Sequence, residues 1–383
     1  MTKLLRRRFT DVVLEETYGE DPGSDRIALL PTSDLSLEVQ GEQQTRDTIR
    51  PSMSPRGHVV TDRSVSLTVP LELRGAGVDD DSKLRKPELD PLLRASMMKR
   101  EDGARIVVTG TSGDFERGET VTNTTDSETV GTVADWDSDN RVLYIRDLDA
   151  MPDSGDELEG EDSSAAADVD EATEAYVYRP ASLSPTDQPS LFMRYDLDGL
   201  LHKVPGCRGT FSINMSRSEI PSISFTLTGL YEKPSDDGAL SGTPLDLVPA
   251  PVLDAELTLG DTDTSKIPIT SVQADISNSV NARPDIQAPD GYHSHIITER
   301  DPTGSIDPEV VKLSDFDPYK DWSEANRVAI AAGIGSKAGH RVRVVMPQTQ
   351  YTELPYSSRN GIATYDLGFR CVGEDDEFML IYS

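Results

Sequence analysis

Residues 205–231 read Pro205-Gly-Cys-Arg-Gly-Thr-Phe-Ser-Ile-Asn-Met215 and then, past a short polar turn, Glu219-Ile-Pro-Ser-Ile-Ser-Phe-Thr-Leu-Thr-Gly-Leu-Tyr231. Phe211, Ile213 and Met215 alternate with small polar residues, and Ile223, Phe225 and Leu227 do the same. Strict period-2 alternation gives each strand one buried face and one wet face. The stretch 205–234 therefore reads as a hairpin of two half-buried strands, and the chain as mainly β.

Moving outward, the same texture recurs. Val65, Leu67, Val69, Leu71 and Leu73 share one face of a strand over 64–73, where Pro70 on the other face predicts an edge position or a bulge. Leu35, Leu37 and Val39 alternate within 27–39, and strand texture resumes at Tyr176. Further strands are expected over 253–259, 267–276, 295–300, 304–310, 340–346, 361–372 and 377–382. Two helices are expected. One covers 87–98, with Leu89, Leu92, Leu93 and Met97 at helical spacing. The longer covers 317–332, with Trp322, Ala325, Val328, Ala329 and Ala332 as a stripe packed on a sheet, and Gly333 and Gly335 as its stop.

Between these lies a different texture. Residues 101–175 are rich in Asp, Glu, Ser, Thr and Gly, with strand-like pieces at 105–109, 129–134 and 141–148. The similar phrases Phe115-Glu-Arg-Gly-Glu-Thr-Val121 and Met151-Pro-Asp-Ser-Gly-Asp-Glu-Leu158 bracket the later pieces. A small acidic β domain inserted in a loop fits this pattern, with 153–174 expected as a mobile connection back. Residues 233–251 read as a linker. The expected organisation is one β-sandwich or barrel module from 1–100 with 176–232, the insertion 101–175, and a second module at 252–383, each module with a peripheral helix. The modules share an order. Ser33-Asp-Leu-Ser-Leu37, Arg46, a strand, the Leu89 helix and two strands are echoed by Ser271-Val-Gln-Ala-Asp275, Arg283, the strand before Asp307, the Trp322 helix and the final strands. Two equivalent modules per chain would let three chains form a pseudo-sixfold ring.

Sixty-eight acidic against 37 basic residues give a net charge of −31 over 383 residues. A surface that grips nucleic acid needs Lys and Arg to replace phosphate counterions, so this acidity argues against such a grip. It permits a surface that DNA passes without sticking; solubility in salty surroundings is the plainer cause. A hydrophobic content of 36% is modest and leaves room for burial against other copies. Cys207 and Cys371 lie far apart in strand-like runs and read as buried free thiols, with neither a disulfide framework nor zinc spacing. The start Met1-Thr-Lys-Leu-Leu-Arg-Arg-Arg-Phe9 has charge with no apolar region behind it, so no secretory signal is expected. No run of about 18 apolar residues exists to span a membrane.

Chemical motifs are weak. His293-Ser-His295 puts two imidazoles on one face of an extended run with Asp290 near, but no third metal ligand is spaced with them, so they read as ordinary histidines. Asp135-Trp-Asp-Ser-Asp-Asn140 begins like a calcium loop, yet position six is Asn140 rather than Gly and position twelve is Arg146 rather than Glu. It reads as an Asp/Asn-rich hairpin turn. Gly333-Ile-Gly-Ser-Lys337 lacks the Gly-Lys-Ser/Thr ending of a phosphate loop and is expected after a helix. Arg6-Arg-Arg8 reads as an arm for an adjacent subunit's carboxylates, against a plain solvated terminus. No catalytic, cofactor or metal residues are assigned.

Several segments resemble the major tail tube proteins of long non-contractile, siphovirus-like phage tails. They are Glu16-Thr-Tyr-Gly19, Ser33-Asp-Leu-Ser-Leu37 with Arg46-Asp47 and Arg50-Pro51, Leu89-Asp-Pro-Leu-Leu-Arg94, the stretch 206–231 with Ile220-Pro221, and Thr298-Glu-Arg-Asp-Pro-Thr-Gly304. The resemblance covers most of the chain outside about 100–175. It implies an inner β-barrel made jointly by the subunits of a ring, helices outside, and rings stacked through loops and terminal arms. It also implies a passive lumen that guides the genome, tape-measure and tail terminator or distal tail proteins as partners, and a place in the virion tail after assembly in the host cytoplasm. An acidic lumen would keep phosphates from docking, so that DNA slides. Extra domains commonly decorate the outer wall of such tubes, which is where the resemblance leaves the insertion. A homotrimeric ring is the expected stoichiometry, with a homohexamer of single-module chains as the alternative. A secreted or surface-layer acidic β-rich adhesin is the competing class. A carbohydrate hydrolase, which needs a convergent carboxylate pair, ranks third.

Overall fold

The computed structural model describes every residue except 1–3, 5, 6, 34, 47, 55, 238, 239 and 246. The chain opens with β1 (Arg8–Leu14), β2 (Ile27–Ala28), β3 (Ser36–Thr45), β4 (His58–Glu72) and helix α1 (Asp90–Ala95). Six strands follow: β5 (Met98–Ser112), β6 (Thr120–Asn123), β7 (Glu128–Asp137), β8 (Val142–Arg146), β9 (Glu157–Gly160) and β10 (Ala166–Pro180). Next come β11 (Leu191–Leu197), β12 (Leu200–Ser216) and β13 (Ser222–Leu230). The remainder holds β14 (Glu256–Leu259), β15 (Ser271–Asp275), β16 (Asn278–Pro284), β17 (Tyr292–Arg300), β18 (Thr303–Ile306), α2 (Pro318–Glu324), β19 (Val328–Ile334) and β20 (Val342–Glu353). It closes with β21 (Tyr356–Arg359), β22 (Ile362–Tyr365), β23 (Leu367–Cys371) and β24 (Met379–Tyr382).

The alternation over 205–231 becomes the antiparallel pair β12–β13, with Phe211 opposite Phe225 and Ile213 opposite Ile223. Their apolar residues, with Met215 and Leu227, are buried at the centre of the main core. The Phe211 and Phe225 rings lie 5.5 Å apart, and Phe378 meets Phe211 edge-on at 5.8 Å. Burying each such side chain stabilises the fold by about 1.5–3 kcal/mol. Gly209 permits the close approach of β13, since a Cβ there would lie 2.2 Å from the Thr226 carbonyl oxygen.

Strand order is where the two halves agree. In the first, β1 pairs with β11, β11 with β12, β12 with β13, β13 with β4, and β4 with β3. In the second, β14 pairs with β19, then β20, β23, β18 and β15 follow in turn. Numbered along the chain, both sets of six have the spatial order 1-4-5-6-3-2, every pairing antiparallel, with a helix between the third and fourth strands. The sets join where β12 pairs with β15, Asn214 opposite Gln273. The β16–β17 hairpin prolongs β15 and β18, much as the outer parts of β3 and β4 prolong that pair.

Residues 98–180 make a closed six-strand barrel: β5, β8, β7, β6, β9, β10 and back to β5. The tract 153–174, expected to be mobile, supplies β9 and most of β10. Leu158, Ala165, Ala167 and Val169 point into the barrel with Phe115 and Trp136, while the intervening acids face water. Small alanines and a high acid content mask the period-2 pattern there. The barrel is seated firmly. Ala134, Tyr144 and Val177 share a cluster with Ala331, Val345 and Ile381, and β24 pairs with both β10 and β20.

Both helices are shorter than expected. α1 stops where Met97 takes a positive φ of 64°, and Met98 opens β5. The helix expected over 317–332 ends at Glu324, because Ala325 adopts the left-handed conformation with φ 54°. Val328, Ala329 and Ala332 belong to β19, where Ile330 and Ala332 join the main core and Ala331 joins the barrel's seat. A strand buried on both faces shows no alternation, and its Ala and Gly content imitates a helix and its stop. Gly333 lies inside β19, and Gly335, with φ 87°, opens the turn to β20. Trp322 is exposed rather than packed on a sheet. Pro70 is not in a bulge; β4 is paired with β13 there, but the β3 ladder on its other side ends at Thr68, so Pro70 sits where that side is met only by the isolated Pro31–Leu71 bridge. Its carbonyl accepts the Thr32 N–H past the end of the β3 ladder, so the missing proline donor costs no ladder bond. Cys207 and Cys371 are buried free thiols. Among the described residues, 233–251 contains neither strand nor helix beyond a single bridge at Ser235.

Candidate functional surface

Eight strands, β3-β4-β13-β12-β15-β18-β23-β20, form one continuous sheet whose apolar face is the main core. Alternation turns the other face to solvent, and hydroxyls and amides dominate it: Ser66 and Thr68 on β4, Ser224 and Thr226 on β13, Ser212 and Asn214 on β12, Gln273 on β15 and Ser305 on β18. A shallow groove of about 700 Å³ crosses this face where the two sets meet, between Asn214, Asp275, Thr303 and Glu353. Among the described residues, the charged side chains on the face are Glu38, Glu72, Asp275, Glu353 and Arg370, with Asp366 also lining the groove, and Arg370 is paired with Asp301. The face is therefore mildly acidic and, among the described residues, has no cluster of cations to hold a phosphate. The bulk of the acid excess lies elsewhere. Residues 101–175 hold 22 acidic and 4 basic side chains, a net −18 of the chain's −31.

Tyr18 sits at the base of the β16–β17 hairpin. Its hydroxyl donates to the Gly206 carbonyl at 3.1 Å and accepts the His295 backbone N–H at 2.8 Å. The Arg208 guanidinium, over the Tyr18 ring, donates to the carbonyls of His295 and Gln188 at 2.5 Å each. Gln188 pairs with the Ile297 backbone in both directions. This buried network fastens the second set's hairpin to the first set. In the sequence its members are scattered over Glu16-Thr-Tyr-Gly19, Gly206-Cys-Arg208 and His293-Ser-His295, with no spacing that brings them together.

A family model for the phage tail tube protein matches residues 12–371. The chain belongs to that family. No curated relative matches it. As a tail tube protein it is a structural component of the phage tail, one that assembles with copies of itself. Among the described residues no helix is long and apolar enough to cross a membrane.

The weak chemical motifs find ordinary places in this tail tube protein. His295 is buried, and burial together with the nearby Arg208 pushes its pKa down to about 4. His293 is exposed and lies 3.5 Å from Asp285, while Asp290 pairs with Arg63 at 2.5 Å, so the three do not converge. Asp135 is buried between Arg343 and Arg117, at 2.6 Å from each. Burial alone would raise its pKa; the two guanidiniums outweigh that and hold the carboxyl below its usual range. Asp137 accepts the Asn140 backbone N–H in the hairpin turn. Gly333 and Ile334 are the last residues of β19, and Gly335 to Lys337 lead into β20, so the run neither follows a helix nor opens one. Arg6 lies outside the described residues, and Arg7 reaches Asp198 of its own chain at 3.8 Å.

Proposed function

We propose that this protein forms homotrimeric rings of pseudo-sixfold symmetry that stack into the tube of a long, non-contractile, siphovirus-like tail. The observation that carries this reading is the strand order 1-4-5-6-3-2 occurring twice in one chain. Two such units, bounded by 1–100 with 176–232 and by 252–383, act as tandem tube modules. The eight-strand sheet is one third of the inner barrel, and its polar face is the lumen. Strands about 4.8 Å apart and tilted by about 40° close twenty-four strands into a barrel about 48 Å across between backbones, wider than a nucleic-acid duplex. Six whole chains would double that width, which favours three.

The lumen works passively. Hydroxyls and amides keep their hydration, the few carboxylates repel phosphate, and no guanidinium cluster offers a binding site, so DNA slides. A tape-measure protein occupies the lumen during assembly in the host cytoplasm, and terminator and distal tail proteins cap the stack. The six-strand barrel decorates the outer wall: Ala331 and Val345 contact it from the side of their strands opposite to Ile330 and Val344, which face the main core. Negative-stain microscopy of the purified protein tests the reading. Rings or tubes with a channel and threefold averages are expected; a stable monomer at high concentration would overturn it.

A further inference from the structure

We infer that the seam between the inserted barrel and the second set of strands binds a small oxyanion of the phosphate or sulfate class, held between Arg105 of β5 and Arg341 just before β20. Register brings the two side chains together. Arg105 lies directly opposite Tyr144 in the β5–β8 pair, and cross-strand partners share a face. Tyr144 turns outward from the barrel into the seat, where it packs with Val345 and Ile381. Arg341, Arg343 and Val345 fall on alternate positions of one strand, so all three point to the same side, towards the barrel. The Arg343 guanidinium lies 5.2 Å over the Tyr144 ring. Arg105 and Arg341 therefore approach the same tyrosine, one from the barrel and the other from the main body.

The three arginines are not served alike. Arg343 pairs with Asp135 and Asp137, and Glu256 lies 3.4 Å from it. Arg105 is only 8% exposed, yet its buried Nε donates to no acceptor among the described residues. Arg341 donates from Nη2 to the Ser336 carbonyl at 2.8 Å, while its buried Nη1 finds no acceptor. The exposed Glu171 and the half-buried Glu256 act on Arg341 only from a distance; burial and then the nearby Arg105 hold its pKa below the ordinary value. Two like charges in one dry place, each with a donor unmade, both destabilise the seam. A tetrahedral oxyanion removes both penalties, because its oxygens accept from Nε and Nη1 and its charge balances the pair. An open groove of about 600 Å³ gives it a way in, with Asn140 of the barrel on one lip and Ser336, Lys337 and His340 on the other. Asp254 and Glu256 also line the groove and repel an anion there, which leaves the arginines as its resting place. Bound between them, the anion clamps the barrel to the main body.

Inorganic phosphate and sulfate, compared with chloride at matched ionic strength, test the site on the full chain. Titration calorimetry should show one phosphate bound per chain. Limited proteolysis should release the barrel more slowly in phosphate or sulfate than in chloride, by about tenfold when the anion stands at about ten times its Kd. Arg105→Gln and Arg341→Gln should each abolish that difference between salts, while release in chloride stays equal or slows, since each variant removes one of two opposed charges. Arg341→Lys keeps the charge without the planar fork and should weaken phosphate binding without abolishing it. Should Arg105→Gln fail to fold, Arg341→Gln at its partly exposed position decides alone. Equal release in all three salts with no heat of phosphate binding would assign the two donors to water and overturn the site. Phosphate binding that persists undiminished in the glutamine variants would mark an adventitious ion only, and would overturn it too.

Discussion

Arg343 on β20 and Asp135 on β7 form a fully buried ion pair, Nε to Oδ2 at 2.6 Å, that ties the second set of strands to the inserted barrel across 208 residues of sequence. Asp137 lies 3.1 Å from the same guanidinium, which also stacks over the Tyr144 ring. Burial alone would lower the Arg343 pKa, but the adjoining carboxylates raise it, so the cation is permanent. Arg343→Ala leaves the buried Asp137 without its cation and Asp135 with Arg117 alone, and should destabilise the protein by about 3 kcal/mol. Denaturant titration measures the loss. Limited proteolysis should then release the barrel as a unit, and an unchanged titration midpoint would show that the pair does not hold the seat.

Tyr18→Phe removes a hydroxyl that both donates to Gly206 and accepts from His295. The buried His295 amide then loses its acceptor, at a cost of about 1–3 kcal/mol. Hydrogen exchange should show faster opening over Tyr292–Arg300 with little change in the inserted barrel. Uniform protection across the chain would count against a fastening role for the hydroxyl.

His295 gives the protein a defined acid response. Its folded pKa of about 4 lies below the ordinary value of 6.5, because burial and then Arg208 disfavour the cation. The unfolded chain therefore takes up the proton first as pH falls. Stability from this group is complete above about 6.5 and is lost progressively towards about 4. His295→Gln should flatten that part of the stability–pH curve. A curve of unchanged slope between these limits would assign the acid response to other groups.

How much of this was legible depended on which faces were buried. The β12–β13 hairpin and the core face of β4 could be read because each strand has one wet face, so Phe211 to Met215 and Val65 to Leu73 alternate cleanly. β19 could not be read, because Ile330 and Ala331 are both buried, on opposite sides, in different clusters. The barrel's β9 and β10 hid behind alternating acids and alanines. The shared order of segments was visible only as an echo, since pairing between strands far apart in sequence leaves no local trace. The mild charge of the polar face was equally hidden, because net charge does not say where the carboxylates sit.

The placement of charge makes assembly salt-dependent. Each copy brings a net −31, of which −18 lies in residues 101–175, so closure of the proposed three-chain ring would gather three such barrels around one axis. Their repulsion is long-ranged at 0.01 M salt, where the screening length is about 30 Å, and nearly gone at 1 M, where it is about 3 Å. Light scattering across a salt series should show rings and tubes forming only above a threshold. Glu159, Glu161, Asp168 and Asp170 are exposed on the barrel, so Glu159→Gln, Glu161→Gln, Asp168→Asn and Asp170→Asn together remove four charges without touching a buried pair. That variant should assemble at lower salt with an unchanged melting profile. If its threshold equals the parent's, the repulsion that salt screens comes from the tube wall itself, and the barrel's acidity plays no part in assembly.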